Sequence, residues 1–324
     1  MQNCGMLAEK LEALHALLRS YESCLVAYSG GVDSVFLARV AHDVLGDRSL
    51  AVIADSPSLP RRELQEALDI AKQVGFPVRV ATTSEFQNPD YLANPVNRCY
   101  FCKHELFAEL APLARAEHFA VIAYGENASD AGDFRPGMQA AAEFQVRAPL
   151  KEAGLTKSEI RTASAQLGLP TADKPQMACL SSRVPHGEKV TTNKLRMVEA
   201  AETVLRDLGF YDVRVRHHEL EQPDALSQLP AAWTVLELTT AETLTERDGA
   251  GGAAGAEKPA LARIELGPSE IPRLRADPLA HTVAAALQKI GYARVVLDLR
   301  GYRRAGAESP PTAPVAPACA EFKA

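Results

Sequence analysis

Ser29-Gly30-Gly31-Val32-Asp33-Ser34 follows an apolar run that ends at Tyr28 and opens a helical pattern at Val32. These residue types make an anion site. Glycines let backbone N–H groups approach a ligand closely, and a helix N-terminus adds partial positive charge. Ser29 and Ser34 supply hydroxyl donors, and Asp33 is placed to hold the Mg2+ that accompanies a polyphosphate. No Walker A lysine is present, so this is not a kinase-type P-loop. The bland alternative is a strand-to-helix turn that happens to be Gly-rich. A second chemistry lies in sulfur: Cys99 and Cys102 form a Cys-x-x-Cys pair, and Cys179 stands in a motif of its own. A third lies in charge. Arg214 and Arg216 share one face of a strand opposite Val213 and Val215, and two arginines on one face suit a phosphate or carboxylate. Arg263 and Glu265 share another strand face, and Glu202 lies on a helix one turn from Glu199 and Arg206. The alternative for these groups is a solvated face with surface ion pairs.

Composition bounds these readings. A chain of 324 residues suggests about two domains and needs no disulfides to fold. Six cysteines at this length are not a disulfide framework. Cys24 sits in an apolar strand pattern and reads as core, while Cys4 and Cys319 carry no indicated chemistry. In a reducing compartment the Cys99/Cys102 pair points to metal, cluster or redox work. The net charge of −6 gives no broad footprint for nucleic acid. The longest apolar runs are too short to span a bilayer, and no signal-peptide core is visible, so a cytoplasmic protein without a membrane partner is expected.

Short apolar strands at 23–28, 50–54, 76–81 and 119–124 alternate with helical stretches at 32–45, 62–74 and 103–118. That alternation predicts a parallel sheet covered on both faces, an open α/β domain of the doubly wound type. Thr156 to Glu159 reads as a capping box at the start of another helix. Further on, a helix at 193–209, strands at 212–216, 262–266 and 293–299, and a helix at 278–290 read as a small α+β domain. Residues 249–255 (GAGGAAG) read as a flexible insertion and 309–317 as part of a Pro-rich disordered tail.

SGGVDS resembles the PP-loop of ATP pyrophosphatases, which cleave ATP between the α- and β-phosphates and adenylate a carbonyl or carboxyl oxygen. Further strings narrow the resemblance: RCYFCK at 98–103, YGENASDAGDFRPG at 124–137, ACLSSRVPHG at 178–187, RVRHH at 214–218, ARIEL at 262–266 and LDLRGYR at 297–303. Together they resemble the LarE family, from about residue 7 to residue 304. The resemblance implies a parallel-sheet PP-loop domain over 1–170, of the adenine nucleotide alpha hydrolase-like type. It is followed by a smaller α+β substrate- or phosphate-binding domain over 171–304 and a tail over 305–324. It implies ATP and Mg2+ as cofactors and pyridinium-3,5-biscarboxylic acid mononucleotide as small-molecule substrate. The substrate carboxylates would be adenylated and converted to thiocarboxylates in nickel-pincer nucleotide biosynthesis. A homo-oligomer is implied as well. Ser29, Gly30, Gly31, Val32, Asp33 and Ser34 would bind ATP and pyrophosphate. Glu202, Arg214, Arg216 and Glu265 match a cluster handling substrate phosphate and bound ions, with Arg183 a further substrate contact. Asn127, Asp130, Asp133 and Arg135 are candidates on the ATP or substrate side. Cys179 matches the family's sulfur-delivering cysteine, whose own sulfur is given up where it stands alone. With Cys99 and Cys102 it would instead hold a [4Fe–4S] cluster by three irons.

One departure from the family is a long segment at about 219–260, which includes an expected extra strand at 233–238. Rival readings are a PP-loop tRNA thiolase and a non-catalytic ATP-binding or redox-sensing protein. For the cysteines, the rivals are a zinc site, which would want a fourth ligand, and a redox pair unrelated to Cys179.

Overall fold

The computed structural model describes residues 2–130, 136–175, 178–221, 230–236, 258–276 and 278–302. Asp133, Arg135, the stretch at 249–255 and the tail lie outside them, as do Cys319 and the side chain of Cys4. The chain forms two compact units, one from Met1–Tyr91 and Val96–Ala178, the other from Leu92–Pro95 and Cys179–Gly306.

The first unit runs α1 (Gln2–Tyr21), β1 (Cys24–Tyr28), α2 (Val32–Leu45), β2 (Ser49–Asp55), α3 (Arg61–Val74), β3 (Val78–Thr82), α4 (Pro89–Leu92), α5 (Arg98–Ala116), β4 (Val121–Tyr124), α6 (Pro136–Glu143), α7 (Pro149–Glu152) and α8 (Lys157–Gln166). Its sheet has the order β3-β2-β1-β4, and every pairing is parallel. A strand buried on both faces must be apolar at every position, which is why CLVAY and LAVIA carry no charge. Cys24, Val26 and Tyr28 of β1 and Ala51 and Ile53 of β2 pack with α1, α2, α3 and α8. Leu25 and Val52 point the other way, into a second core built by Phe107, Leu110 and Ala114 of α5 and Ala140 and Ala141 of α6. The expected doubly wound α/β architecture is the one observed. Gly75 ends α3 in the left-handed conformation at φ 87°, as its position after the apolar stripe suggests.

α5 differs from expectation. It begins at Arg98 rather than Lys103, so Cys99 and Cys102 lie within its first turns. The local sequence Cys-Tyr-Phe-Cys is a weak helix former, but tertiary packing overrides it. The Tyr100 hydroxyl donates to Glu143 at 2.9 Å, and the His104 and Phe144 rings meet edge to face at 5.0 Å.

The second unit contains α9 (Thr192–Asp207), β5 (Val213–Glu219), β6 (Trp233–Val235), β7 (Ala260–Leu266), α10 (Ile271–Arg275), α11 (Leu279–Ile290) and β8 (Arg294–Asp298). Its mixed sheet has the order β5-β7-β8-β6, with only the β7/β8 pair parallel. One face is apolar: Val213, Val215, Ala262, Ile264, Val295 and Leu297 pack on Ala201 and Leu205 of α9 and Val283 and Leu287 of α11. The other face carries the alternate residues of each strand, and these are largely charged. The extra strand expected inside the 219–260 segment is β6, covering 233–235.

The capping box at the head of α8 is complete. The Thr156 hydroxyl accepts from the Glu159 N–H, and the Glu159 carboxylate accepts from the Thr156 N–H at 2.8 Å. Glu159 also takes an ion pair from Lys10 of α1 at 2.7 Å. Replacing Thr156 with Ala is expected to destabilise the first unit by about 1 kcal/mol, with Thr156→Ser close to the parent. Urea unfolding of the three proteins measures the difference.

Candidate active site

β1 is flanked by β2 on one side and β4 on the other, so the strand order reverses beside it. Open α/β sheets bind ligands at such a switch point, outside the carboxyl ends of the strands. The loop 29–34 leaves β1 there and the loop 125–130 leaves β4. Gly30 has φ 71°, and a Cβ on it would lie 2.6 Å from the Cβ of Ala67 on α3. A Cβ on Gly125 would lie 3.0 Å from the Ser34 nitrogen. Gly30 is therefore required by close approach, Gly125 packs tightly, and the two loops are pressed around the N-terminus of α2. Gly31 caps that helix without a side-chain hydrogen bond, so its first N–H groups have no intrahelical acceptor. Ser29 Oγ and Ser34 Oγ lie 3.1 Å apart, and Ser34 Oγ also donates to the Gly31 carbonyl at 3.0 Å.

Asp33 in the first turn of α2 receives Lys157 Nζ on Oδ2 at 2.7 Å, while Oδ1 is buried without a hydrogen-bond partner. Burial raises the Asp33 pKa above the usual carboxylate range, and Lys157 only partly opposes this. A buried orphan carboxylate oxygen fits a divalent cation. The sequence reading gave Lys157 no role. Its signal was a cation in the first turn of a helix, where the macrodipole disfavours positive charge and an outside carboxylate or anion must compensate. Lys157 N–H also donates to Ser129 Oγ at 3.0 Å, and Asn127 Oδ1 accepts from the Ser129 N–H at 2.9 Å. Asn127 N–H in turn donates to Asp130 at 3.2 Å. α2, the loop after β4 and α8 are thereby joined at one point. Glu126 is buried between the Tyr124 hydroxyl, which donates to it, and Lys151 at 2.6 Å.

Cys99 is exposed and Cys102 half-buried, in contrast to the fully buried Cys24. At i and i+3 they share one face of α5. The side chains between and beside them are used for packing: Tyr100 and Phe101 meet at 5.3 Å, and Lys103 lies over the Tyr124 ring at 4.6 Å. Two thiols so placed suit a soft metal or a disulfide-exchanging partner. Among the described residues, no group of three His, Cys, Asp or Glu side chains is gathered as a metal centre.

Cys179 opens the second unit at the head of a single 3-10 turn, Leu180–Arg183. Its carbonyl accepts from Ser182 N–H at 3.0 Å, Ser182 Oγ at 2.8 Å and Arg183 Nη1 at 3.1 Å. Arg183, 1% exposed, makes a two-pronged pair with Glu202 of α9, 0% exposed, at 2.8 and 3.2 Å. Glu202 also accepts from Arg206 at 3.1 Å and from the Val215 N–H at 3.1 Å. Arg216 donates to the Ser182 carbonyl at 3.0 Å and to Glu265 at 2.8 Å, and Arg263 donates to the same Glu265 oxygen at 2.6 Å. Arg214 lies over the Tyr302 ring at 4.2 Å. Burial and the like charges of Arg183 and Arg216 lower its pKa. Glu202, Arg183, Arg214, Arg216 and Glu265 are thus gathered within one unit. Glu202 and Arg183 form its buried frame, and Arg214, Arg216 and Arg263 form the charged face of the sheet.

His217 points into the core against Tyr292, ring centroids 5.5 Å apart, and its Nδ1 is buried without a partner. His218 lies on the arginine side of the strand against Trp233 at 5.6 Å, with Nε2 likewise unpartnered. Burial lowers both pKa values to about 4; Lys194 adds to this at His217, and Arg263 at His218. His186 lies in the loop that follows the 3-10 turn. Among the described residues no helix is long and apolar enough to cross a membrane.

The all-parallel sheet and the SGGVDS turn at its switch point place the first unit in the PP-loop superfamily. No family model matches the chain. Individual relatives do. The chain is 35% identical over 225 residues to the pyridinium-3,5-bisthiocarboxylic acid mononucleotide synthase of Lactiplantibacillus plantarum, across 68% of this chain and 81% of that one. It is 40% identical over 298 residues to an uncharacterized protein of Synechocystis sp., across 92% and 96%. A more distant similarity, 30% over 233 residues, reaches a tRNA-specific 2-thiouridylase of Azorhizobium caulinodans, across 59% and 58%. The chain belongs to the LarE family of sulfurtransferases.

Two expectations follow from the second unit. Glu202→Gln leaves Arg183 and Arg206 without their buried carboxylate and is expected to destabilise the unit by about 3 kcal/mol, read from its denaturation transition. His217 and His218 bind fewer protons folded than unfolded between their unperturbed 6.5 and about 4. Their stabilising effect is therefore complete above that window, falls as pH drops through it, and levels off below it. Denaturation across the window should show stability rising with pH, with a shallower slope in His217→Asn and His218→Asn.

Proposed function

We propose that this protein is an ATP-dependent sulfurtransferase that converts the carboxylates of pyridinium-3,5-biscarboxylic acid mononucleotide to thiocarboxylates. The observation that carries this reading is the tie between Cys179 and the arginine face. One guanidinium, that of Arg183, bonds the Cys179 carbonyl and is clamped by the same Glu202 that holds β5. The backbone of the sulfur-bearing Cys179 and the arginine strand are therefore held by one frame.

In the first half-reaction, the N–H groups at the head of α2 and the Ser29 and Ser34 hydroxyls cradle the ATP phosphates. Asp33 would hold Mg2+, and that ion would supply charge neutralisation to the leaving pyrophosphate. Lys157 is then shared between Asp33 and phosphate oxygens. The substrate carboxylate attacks the α-phosphorus, pyrophosphate leaves, and an acyl adenylate results. In the second half-reaction a sulfur nucleophile attacks the acyl carbon and AMP departs with the bonding pair. Arg214 and Arg216 bind the phosphate of the mononucleotide, since fixed guanidinium forks match phosphate oxygens. Cys99, Cys102 and Cys179 would hold a [4Fe–4S] cluster, whose chemistry would be to supply sulfide-level sulfur for the attack on the acyl carbon. The donor chemistry supports this: two accessible thiols share one helix face, and neither is spent on the core.

Incubation of the pure protein with the biscarboxylate mononucleotide, ATP and Mg2+ should yield pyrophosphate, AMP and thiocarboxylate. Asp33→Ala is expected to abolish AMP formation; an unimpaired rate would sink the assignment of the loop. Arg214→Ala and Arg216→Ala should each weaken substrate binding about tenfold or more, the loss of a charge-assisted contact worth roughly 1.5–3 kcal/mol. Protein reconstituted anaerobically with iron and sulfide should be brown, and each single Cys→Ala change should bleach it. Loss of hydrogen sulfide mass from Cys179 after one turnover, without any cluster, would instead establish the sacrificial route.

A further inference from the structure

The segment at about 219–260 contributes β6 to the edge of the second sheet, and with it Trp233, the sole tryptophan of the protein. Register places the ring. Trp233 pairs with Asp298, and Val235 with Val296; Val296 pairs with Arg263, and Arg263 with Arg216. Residues directly opposite across a sheet share a face, so Trp233 lies on the charged face rather than in the core. Its indole N–H donates to Asp298 Oδ2 at 3.2 Å, which fixes the ring plane. The Arg263 guanidinium lies over that ring at 4.8 Å, and His218 flanks it.

Arg216 and Arg263 are a directly opposed like-charge pair, an unfavourable arrangement in any sheet. A single oxygen, Glu265 Oε1, accepts from both guanidinium groups, and Asp298 lies 4.0 Å from Arg263 Nε. That Nε is buried without a hydrogen-bond partner. Carboxylates alone therefore do not hold Arg263, and the indole face supplies the remaining attraction while excluding water from one side of the cation.

We infer that Trp233 is a positioning residue of the arginine face: through Arg263 it keeps Arg216 and its neighbours set for the phosphate of a pyridinium ribonucleotide. This inference rests on the reading of that face as the phosphate site.

Because no other tryptophan contributes emission, the test reads the site directly. The full chain is titrated with inorganic phosphate and, separately, with nicotinic acid mononucleotide, following both indole emission and calorimetric heat. Saturable binding accompanied by a matching emission change is expected. Trp233→Leu should bind about three- to tenfold more weakly, the scale of one partly desolvated cation–π contact. Trp233→Phe, which keeps an aromatic face, should stay within about twofold of the parent. Thermal midpoints of all three proteins should agree. Binding by the parent without any emission change, or equal affinity in Trp233→Leu, overturns the inference while leaving the phosphate site intact. Absence of binding in the parent overturns both. If Trp233→Leu does not fold, the parent titration and Trp233→Phe decide the matter, and a flat emission or a phenylalanine variant as weak as an arginine deletion counts against it.

Discussion

The Arg183–Glu202 ion pair sets the geometry of the second unit. Withdrawing two charges this far from water costs several kcal/mol for each ion, and attraction repays it only with excellent geometry and further hydrogen bonds. Both conditions are met: two prongs from Arg183, a third donor from Arg206 and a fourth from the Val215 backbone converge on one carboxylate. The pair thereby fastens three separate pieces of chain, namely the 3-10 turn after Cys179, helix α9 and strand β5. An apolar replacement could fill the same volume, but it could not also bond the Cys179 carbonyl and a strand amide. What the ion pair contributes is a common anchor for the Cys179 backbone and the strand that carries Arg214 and Arg216.

The charged face then follows from an imbalance. Glu202 and Glu265 are each shared between two arginines, and Arg214 is set over an aromatic ring instead of a carboxylate. A cation–π contact steadies a guanidinium without neutralising it. The face therefore retains uncompensated positive charge at fixed positions, the condition for recognising a phosphate at little cost in reorganisation. Tyr302 beneath Arg214 and Trp233 beneath Arg263 apply the same device at two places on one sheet.

The first unit is shaped by a different constraint. That constraint is space: Gly30 against Ala67 leaves no room for a Cβ, and Gly125 packs tightly against the head of α2. Within that tight turn, burial works against the charge of Asp33 and one carboxylate oxygen is left without a partner. A carboxylate poised in this way gains most from the arrival of a cation.

The sequence by itself determined the features that depend on near neighbours. Short apolar strands, the glycines after β1, the capping box at Thr156 and the alternation of Arg214 and Arg216 with Val213 and Val215 all act over a few residues, so their outcome was legible. The edge strand at Trp233 was legible too, from its β-rich composition. Only the tertiary structure decided the rest. The start of α5 depended on Tyr100 finding Glu143, and Lys157 acquired a purpose only when folding brought it to Asp33, 124 residues away. Glu202 belonged to the right group of residues, yet its complete burial as the partner of Arg183, and the indole of Trp233 over Arg263, arise from packing between elements distant in the chain. Charges that look solvated in sequence become a frame or a site according to which neighbours exclude water from them. That exclusion is a property of the assembled layers and not of any local string.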